Sequence, residues 1–116
     1  MKQLEKLMKV TKARCEASDG FNLKIDDWTI ADWMCGLAGE TGELANEIKK
    51  LRRHELGVKK EKRSKEEIMK AIESEIPDVL IYLMMICNKL DVDPWELTRK
   101  KFNEVCDKLG YSGERL

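Results

Sequence analysis

Apolar residues recur along this chain at three- and four-residue spacing, and no stretch alternates as a strand would. Leu4, Leu7, Met8, Thr11 and Cys15 mark a first helix from Met1 to about Ala17. Ser18-Asp19-Gly20 ends it, since all three residue types favour turns. Residues 21–27 read as a loop or short turn, with Asp27 as the N-cap of a second helix. That helix runs from about Trp28 to about His54 and carries Ile30, Met34, Leu37, Leu44, Ile48 and Leu51 on one side. Lys49, Lys50, Arg52 and Arg53 fill its last turns, where the negative end of the helix dipole favours cations. Gly57 is its stop signal, and residues 58–63 form a basic linker. Ser64 and Glu67 form a capping box for a third helix reaching about Leu90. Asp93, Pro94 and Glu96 open a fourth, which continues to about Leu109 and stops at Gly110. The pattern predicts an all-α fold.

Two stretches depart from ordinary amphipathic helix. In Gly36-Leu37-Ala38-Gly39-Glu40-Thr41-Gly42-Glu43-Leu44-Ala45-Asn46-Glu47, three carboxylates share one helical face. Glu40 and Glu47 fall about 20° apart around the axis, and Glu43 about 60° to one side of Glu40. Each of Gly36, Gly39 and Gly42 costs about 1 kcal/mol relative to alanine inside a helix, so a close approach by a ligand or a second backbone is expected there. A solvated face would explain the carboxylates alone. The second stretch, Glu75 to Cys87, weighs against that explanation. Glu75 and Asp78 are spaced i, i+3, and no further charge follows until Lys89. A helix apolar all round is buried on most sides, and a carboxylate there needs a partner or a metal. Pro77 between the two acids predicts a kink, since proline removes a backbone hydrogen bond.

With 116 residues the chain is expected to be a single domain, residues 1–116. Lys plus Arg balance Asp plus Glu at 22 each, which argues against nucleic acid as a partner. The charged start and short apolar runs predict no secretory signal, no membrane span and a cytoplasmic location. Cys15, Cys35, Cys87 and Cys106 form no CxxC pair, and His54 is the sole histidine. A zinc site is therefore not expected, and the cysteines read as buried free thiols. A ferritin-like di-iron site fails as well, because it needs two Glu-x-x-His motifs. Carboxylates on two facing helices suit Mg²⁺ or Mn²⁺ sharing its shell with substrate phosphates.

The pair Glu40-x-x-Glu43 and Glu75-x-x-Asp78, set in Gly-Leu-Ala-Gly-Glu-Thr-Gly-Glu-Leu-Ala and Glu-Ile-Pro-Asp-Val-Leu-Ile-Tyr-Leu, resembles the MazG-like nucleoside triphosphate pyrophosphohydrolases from about Trp33 to Tyr111. The resemblance implies a four-to-five-helix bundle of the all-α NTP pyrophosphatase type, assembled as a homodimer or homotetramer. It implies Mg²⁺-dependent hydrolysis of a (deoxy)nucleoside triphosphate to the monophosphate and pyrophosphate, serving nucleotide-pool housekeeping. It also implies that Glu40, Glu43, Glu75 and Asp78 bind the metal, with Glu47 a further candidate. Tyr82, Lys101 and Asn103 resemble substrate-contacting positions, and Trp28 and Trp33 are candidates to stack on a base. The sequence departs from the family at Pro77, where a small residue is usual, and in a longer gap between the acidic pairs. A non-catalytic helical binding module, an all-α dUTPase and a phosphoribosyl-ATP pyrophosphohydrolase are the competing readings.

Overall fold

The computed structural model describes residues 2–116. Among them the helices are α1 (Lys2–Glu16), α2 (Ile30–Glu55), α3 (Lys65–Leu90) and α4 (Pro94–Leu109), with one 3-10 turn at Ile25–Asp27 and no strand. The all-α expectation holds. Met1, read into the first helix, lies outside the described residues.

Local chemistry sets the helix ends, with three differences from expectation. Thr29, not Asp27, caps α2: its hydroxyl accepts from the Asp32 N–H at 3.2 Å, and the Asp32 carboxylate accepts from the Thr29 N–H at 2.9 Å. Asp27 instead closes the 3-10 turn, accepting from the Lys24 N–H at 3.2 Å. Ser64 caps the Glu67 N–H at 3.2 Å, but the Glu67 carboxylate takes the Ser64 hydroxyl at 3.3 Å rather than completing the box. Asp93 caps α4 through the N–H groups of Trp95 and Glu96, while the Glu96 side chain pairs with Arg99 at 2.9 Å. Gly57 and Gly110 follow α2 and α4 with φ of +70° and +65°, as stop signals should. Helix α3 runs through Pro77 as one element.

The architecture is an α2–α3 hairpin with α1 laid across it. Gly36 lies against Tyr82, Glu40 beside Glu75, and Glu47 on Arg63, so the two helices run antiparallel. The Asn88 amide of α3 donates to the Met8 carbonyl of α1 at 3.0 Å. Cys15, Ile25, Trp33 and Met85 form a buried cluster where α1, the 3-10 turn, α2 and α3 meet, flanked by Leu23, Trp28, Tyr82 and Ile86. This cluster anchors the elements that carry the carboxylates.

Burial of the apolar faces is incomplete. On α3, Ile68, Ile72, Met84, Met85 and Cys87 are buried, but Met69, Ile76, Leu80, Leu83 and Leu90 form an exposed stripe. On α2 only Trp33 is fully buried, and Ile30, Met34 and Ile48 are open. Among the described residues α4 packs only sparsely against the other helices and exposes Leu97, Phe102, Val105 and Leu109. The radius of gyration is 18.0 Å. A compact domain of this length has about 13 Å.

Candidate active site

Glu40 and Glu43 on α2 and Glu75 on α3 each bring a carboxylate oxygen to within 4.8 Å of the others. The antiparallel hairpin produces this meeting, because it sets the two i, i+3 pairs side by side. One oxygen of Glu40 and one of Glu75 are buried without a hydrogen-bond partner. Burial raises the Glu40 carboxyl above the usual range, and the charges of Glu43, Asp78 and Glu75 add to the rise. Burial likewise raises Glu75, reinforced by Glu43 and then Asp78. Asp78 stands one turn beyond Glu75, outside the close trio, and lines the adjoining pocket together with Glu40.

Glu47 has a different role in the structure. Its carboxylate accepts from Arg63 at 2.8 Å and from Lys50 at 3.4 Å. The Arg63 hydrogen bond holds it below the usual carboxylate range. Arg63 also grips Glu61 at 3.1 Å, so part of the basic linker is tied down onto α2.

A divalent cation fits the trio. Its donors are hard oxygens, two of them desolvated and unpartnered, and mutual repulsion is relieved only by positive charge or a proton. Glu40, Glu43 and Glu75 could hold such an ion directly, with Asp78 beside them.

A cavity of about 590 Å³ adjoins the carboxylates. Trp28, Trp33, Tyr82, Ile81 and Met85 supply its aromatic and apolar lining. The ring of Trp33 lies 4.7 Å from Trp28 and 6.2 Å from Tyr82, centroid to centroid. Trp33 also belongs to the core: it is 3% exposed, and its Nε1–H donates to the Ile25 carbonyl at 3.0 Å. Trp28 is half-buried. Thr11, Arg14, Cys15, Phe21, Asn22 and Leu23 form the wall contributed by α1 and the loop after it. Sequence periodicity could not place these six at the pocket, because it does not show where a loop folds back.

Gly36 explains one of the three helical glycines. A Cβ there would clash with the Tyr82 ring carbons, so glycine lets the ring approach α2 this closely. Gly36→Ala should push Tyr82 out of place and raise KM severalfold, with overpacking costing about 1–3 kcal/mol of stability. Gly39→Ala, with nothing within 4 Å of its Cβ position, is the comparison without a clash. Steady-state kinetics and thermal melts of both variants check this; identical behaviour would dismiss the Tyr82 contact.

Lys101 and Asn103 lie on α4, which contributes nothing to the pocket beside the carboxylates. The Asn103 side chain is bonded to the Leu116 backbone at 2.9 and 3.0 Å. Lys101 lines a separate groove of about 720 Å³ with Leu97, Phe102, Val105 and Leu109. Cys15, Cys87 and Cys106 are buried free thiols as expected, whereas Cys35 is exposed. Among the described residues no helix is long and apolar enough to cross a membrane.

An all-α hairpin that gathers carboxylates beside an aromatic pocket defines the class of helical proteins with a candidate cation site. The comparison with protein families is more particular. Residues 29–111 match the MazG nucleotide pyrophosphohydrolase domain, and the chain belongs to that family. It is also similar to the Gene 37 protein of Mycobacterium phage L5, with 34% identity over 70 residues. That match covers 60% of this chain and 57% of the phage protein. No solved structure matches the chain.

Proposed function

We propose that this protein hydrolyses a nucleoside or deoxynucleoside triphosphate to the monophosphate and pyrophosphate, using Mg²⁺, or Mn²⁺ in its place. The observation that carries this reading is the pair of buried, unpartnered oxygens of Glu40 and Glu75, set beside an aromatic pocket. Glu40, Glu43, Glu75 and Asp78 would hold the metal. When bound, a divalent cation there polarises phosphoryl oxygen and offsets the charge developing on the leaving pyrophosphate. Glu40 and Asp78 also line the pocket, so on this reading the same side chains would set the spacing between the phosphate and base ends of the substrate. Tyr82 stands between those ends, and burial followed by the charge of Glu40 raises its phenol, keeping it a neutral donor. On this reading the protein works as a homodimer or homotetramer, and Lys101 and Asn103 would serve a neighbouring subunit's nucleotide. A non-catalytic module would not need desolvated carboxylates, which cost stability without a ligand.

Product analysis over a triphosphate panel, with Mg²⁺ and with EDTA, tests the chemistry. Monophosphate and pyrophosphate should appear together, and only with metal. Orthophosphate as first product, or full activity in EDTA, overturns the reading. Including dUTP and phosphoribosyl-ATP separates it from the two sister activities.

The tryptophans should divide by role. Trp33→Ala should destabilise the fold by about 3–5 kcal/mol, as loss of a buried aromatic does. Trp28→Ala should cost less stability but raise KM, since stacking on a base contributes about 1–3 kcal/mol. Melting curves beside Michaelis constants decide; an unchanged KM for Trp28→Ala removes it from the base site.

A further inference from the structure

The pocket wall opposite the carboxylate-bearing helices carries two polar side chains that the proposed chemistry does not use. Arg14 lies in the last turn of α1, and Asn22 in the loop that follows; both line the cavity with Trp28, Trp33 and Tyr82. Among the described residues neither the Arg14 guanidinium nor the Asn22 amide has a hydrogen-bond or ion-pair partner. The Arg14 guanidinium is instead stacked 5.6 Å from the Phe21 ring centroid.

This wall is built rather than loose. The N–H of Phe21 bonds the Arg14 carbonyl at 3.2 Å, that of Asn22 the Ala17 carbonyl at 3.0 Å, and that of Leu23 the Cys15 carbonyl at 2.9 Å. Gly20 packs so tightly beneath that a Cβ there would sit 1.9 Å from the Arg14 carbonyl oxygen. Asn22 adopts φ +52°, a left-handed conformation that asparagine tolerates better than most residues. Backbone bonds thus fix the main chain of both residues at the cavity, and their side chains are exposed at its mouth.

We infer that Arg14 and Asn22 read the edge of the nucleobase, selecting a triphosphate whose base presents a ring carbonyl over one carrying adenine. The inference rests on the proposed pyrophosphohydrolase reading and adds its specificity. With the phosphates at Glu40 and Asp78, the aromatic lining takes the base and leaves its edge to the α1 wall. A guanidinium offers donors only, so it pairs with carbonyl oxygen and ring nitrogen acceptors and opposes the adenine amino group. The Asn22 amide offers one acceptor and two donors, and completes the edge of guanine or cytosine.

The test compares kcat/KM for the four common deoxynucleoside triphosphates in the full-length protein and three variants. These are Arg14→Gln, Arg14→Met and Asn22→Gly, the last keeping the positive φ while deleting the amide. The wild type should disfavour dATP. Arg14→Met should lower kcat/KM for the preferred base roughly ten- to hundredfold and leave dATP nearly unchanged. Arg14→Gln should narrow the gap further, because glutamine can pair with adenine at its amino group and N7. Asn22→Gly should reduce discrimination severalfold at an unchanged melting temperature. A uniform loss over all four bases would place Arg14 on the phosphates and overturn the inference, as would dATP being the best substrate. A wild type that releases pyrophosphate from no triphosphate defeats the underlying reading instead.

Discussion

Replacing any one of Glu40, Glu43 or Glu75 with glutamine, or Asp78 with asparagine, should cut turnover at least about a hundredfold, the scale seen when key transition-state electrostatics are removed. Each change deletes one negative charge and keeps the shape. Three of these groups crowd within 4.8 Å, and burial and repulsion already strain Glu40 and Glu75. The metal-free variants should therefore stay folded and melt at the same temperature or higher, because like-charge repulsion falls. Glu47→Gln should lose less activity, because its carboxylate is engaged by Arg63 and Lys50. Its loss frees Arg63 and loosens the linker, a positioning effect. Pyrophosphate release, Mg²⁺ titration and thermal melts on the five variants provide the check. Near-normal turnover in any of the first four would remove that residue from the metal site; loss of folding would show the cluster to be structural.

If the proposed oligomer forms through the exposed apolar faces of α3 and α4, a charge placed there should separate subunits and abolish activity. Leu83→Glu on α3 and Phe102→Glu on α4 alter side chains that are 42% and 44% exposed in the single chain. Neither should disturb an isolated fold. Burying one such side chain contributes about 1.5–3 kcal/mol, so replacing it with a carboxylate should weaken association by at least tenfold. The shape of the chain supports this expectation. Most helical stability comes from packing an amphipathic face, and among the described residues α4 packs only sparsely against the other helices. Light scattering and activity at low micromolar concentration test it. A stable, fully active wild-type monomer would sink the idea.

Much of the fold was legible because helix formation is a local matter. The threonine cap of α2 was missed for a local reason too: Asp27 and Thr29 are both competent caps, and the reciprocal Asp32 bond favours Thr29. The acidic pairs were legible as candidates from their spacing and from the isolation of Glu75 and Asp78 in an apolar run. Glu47 looked equivalent to Glu40 on the helical wheel, and only the linker's fold brings Arg63 onto it. The division between Trp28 and Trp33 was equally out of reach, since it turns on a bond to the Ile25 carbonyl.

The amino-acid sequence by itself determined four helices, their stop signals and two carboxylate pairs at i, i+3, because each depends on residues within one or two turns of one another. Tertiary structure decided which carboxylates converge, which glycine admits an aromatic ring, and which wall of the pocket carries Arg14 and Asn22. Those outcomes depend on the packing of α1 and the hairpin, where residues as much as 80 positions apart, Met8 and Asn88, come into contact. Periodicity along one helix reports which face is apolar. It does not report what lies against that face, and here α3 divides its apolar surface between a buried core and a stripe left open.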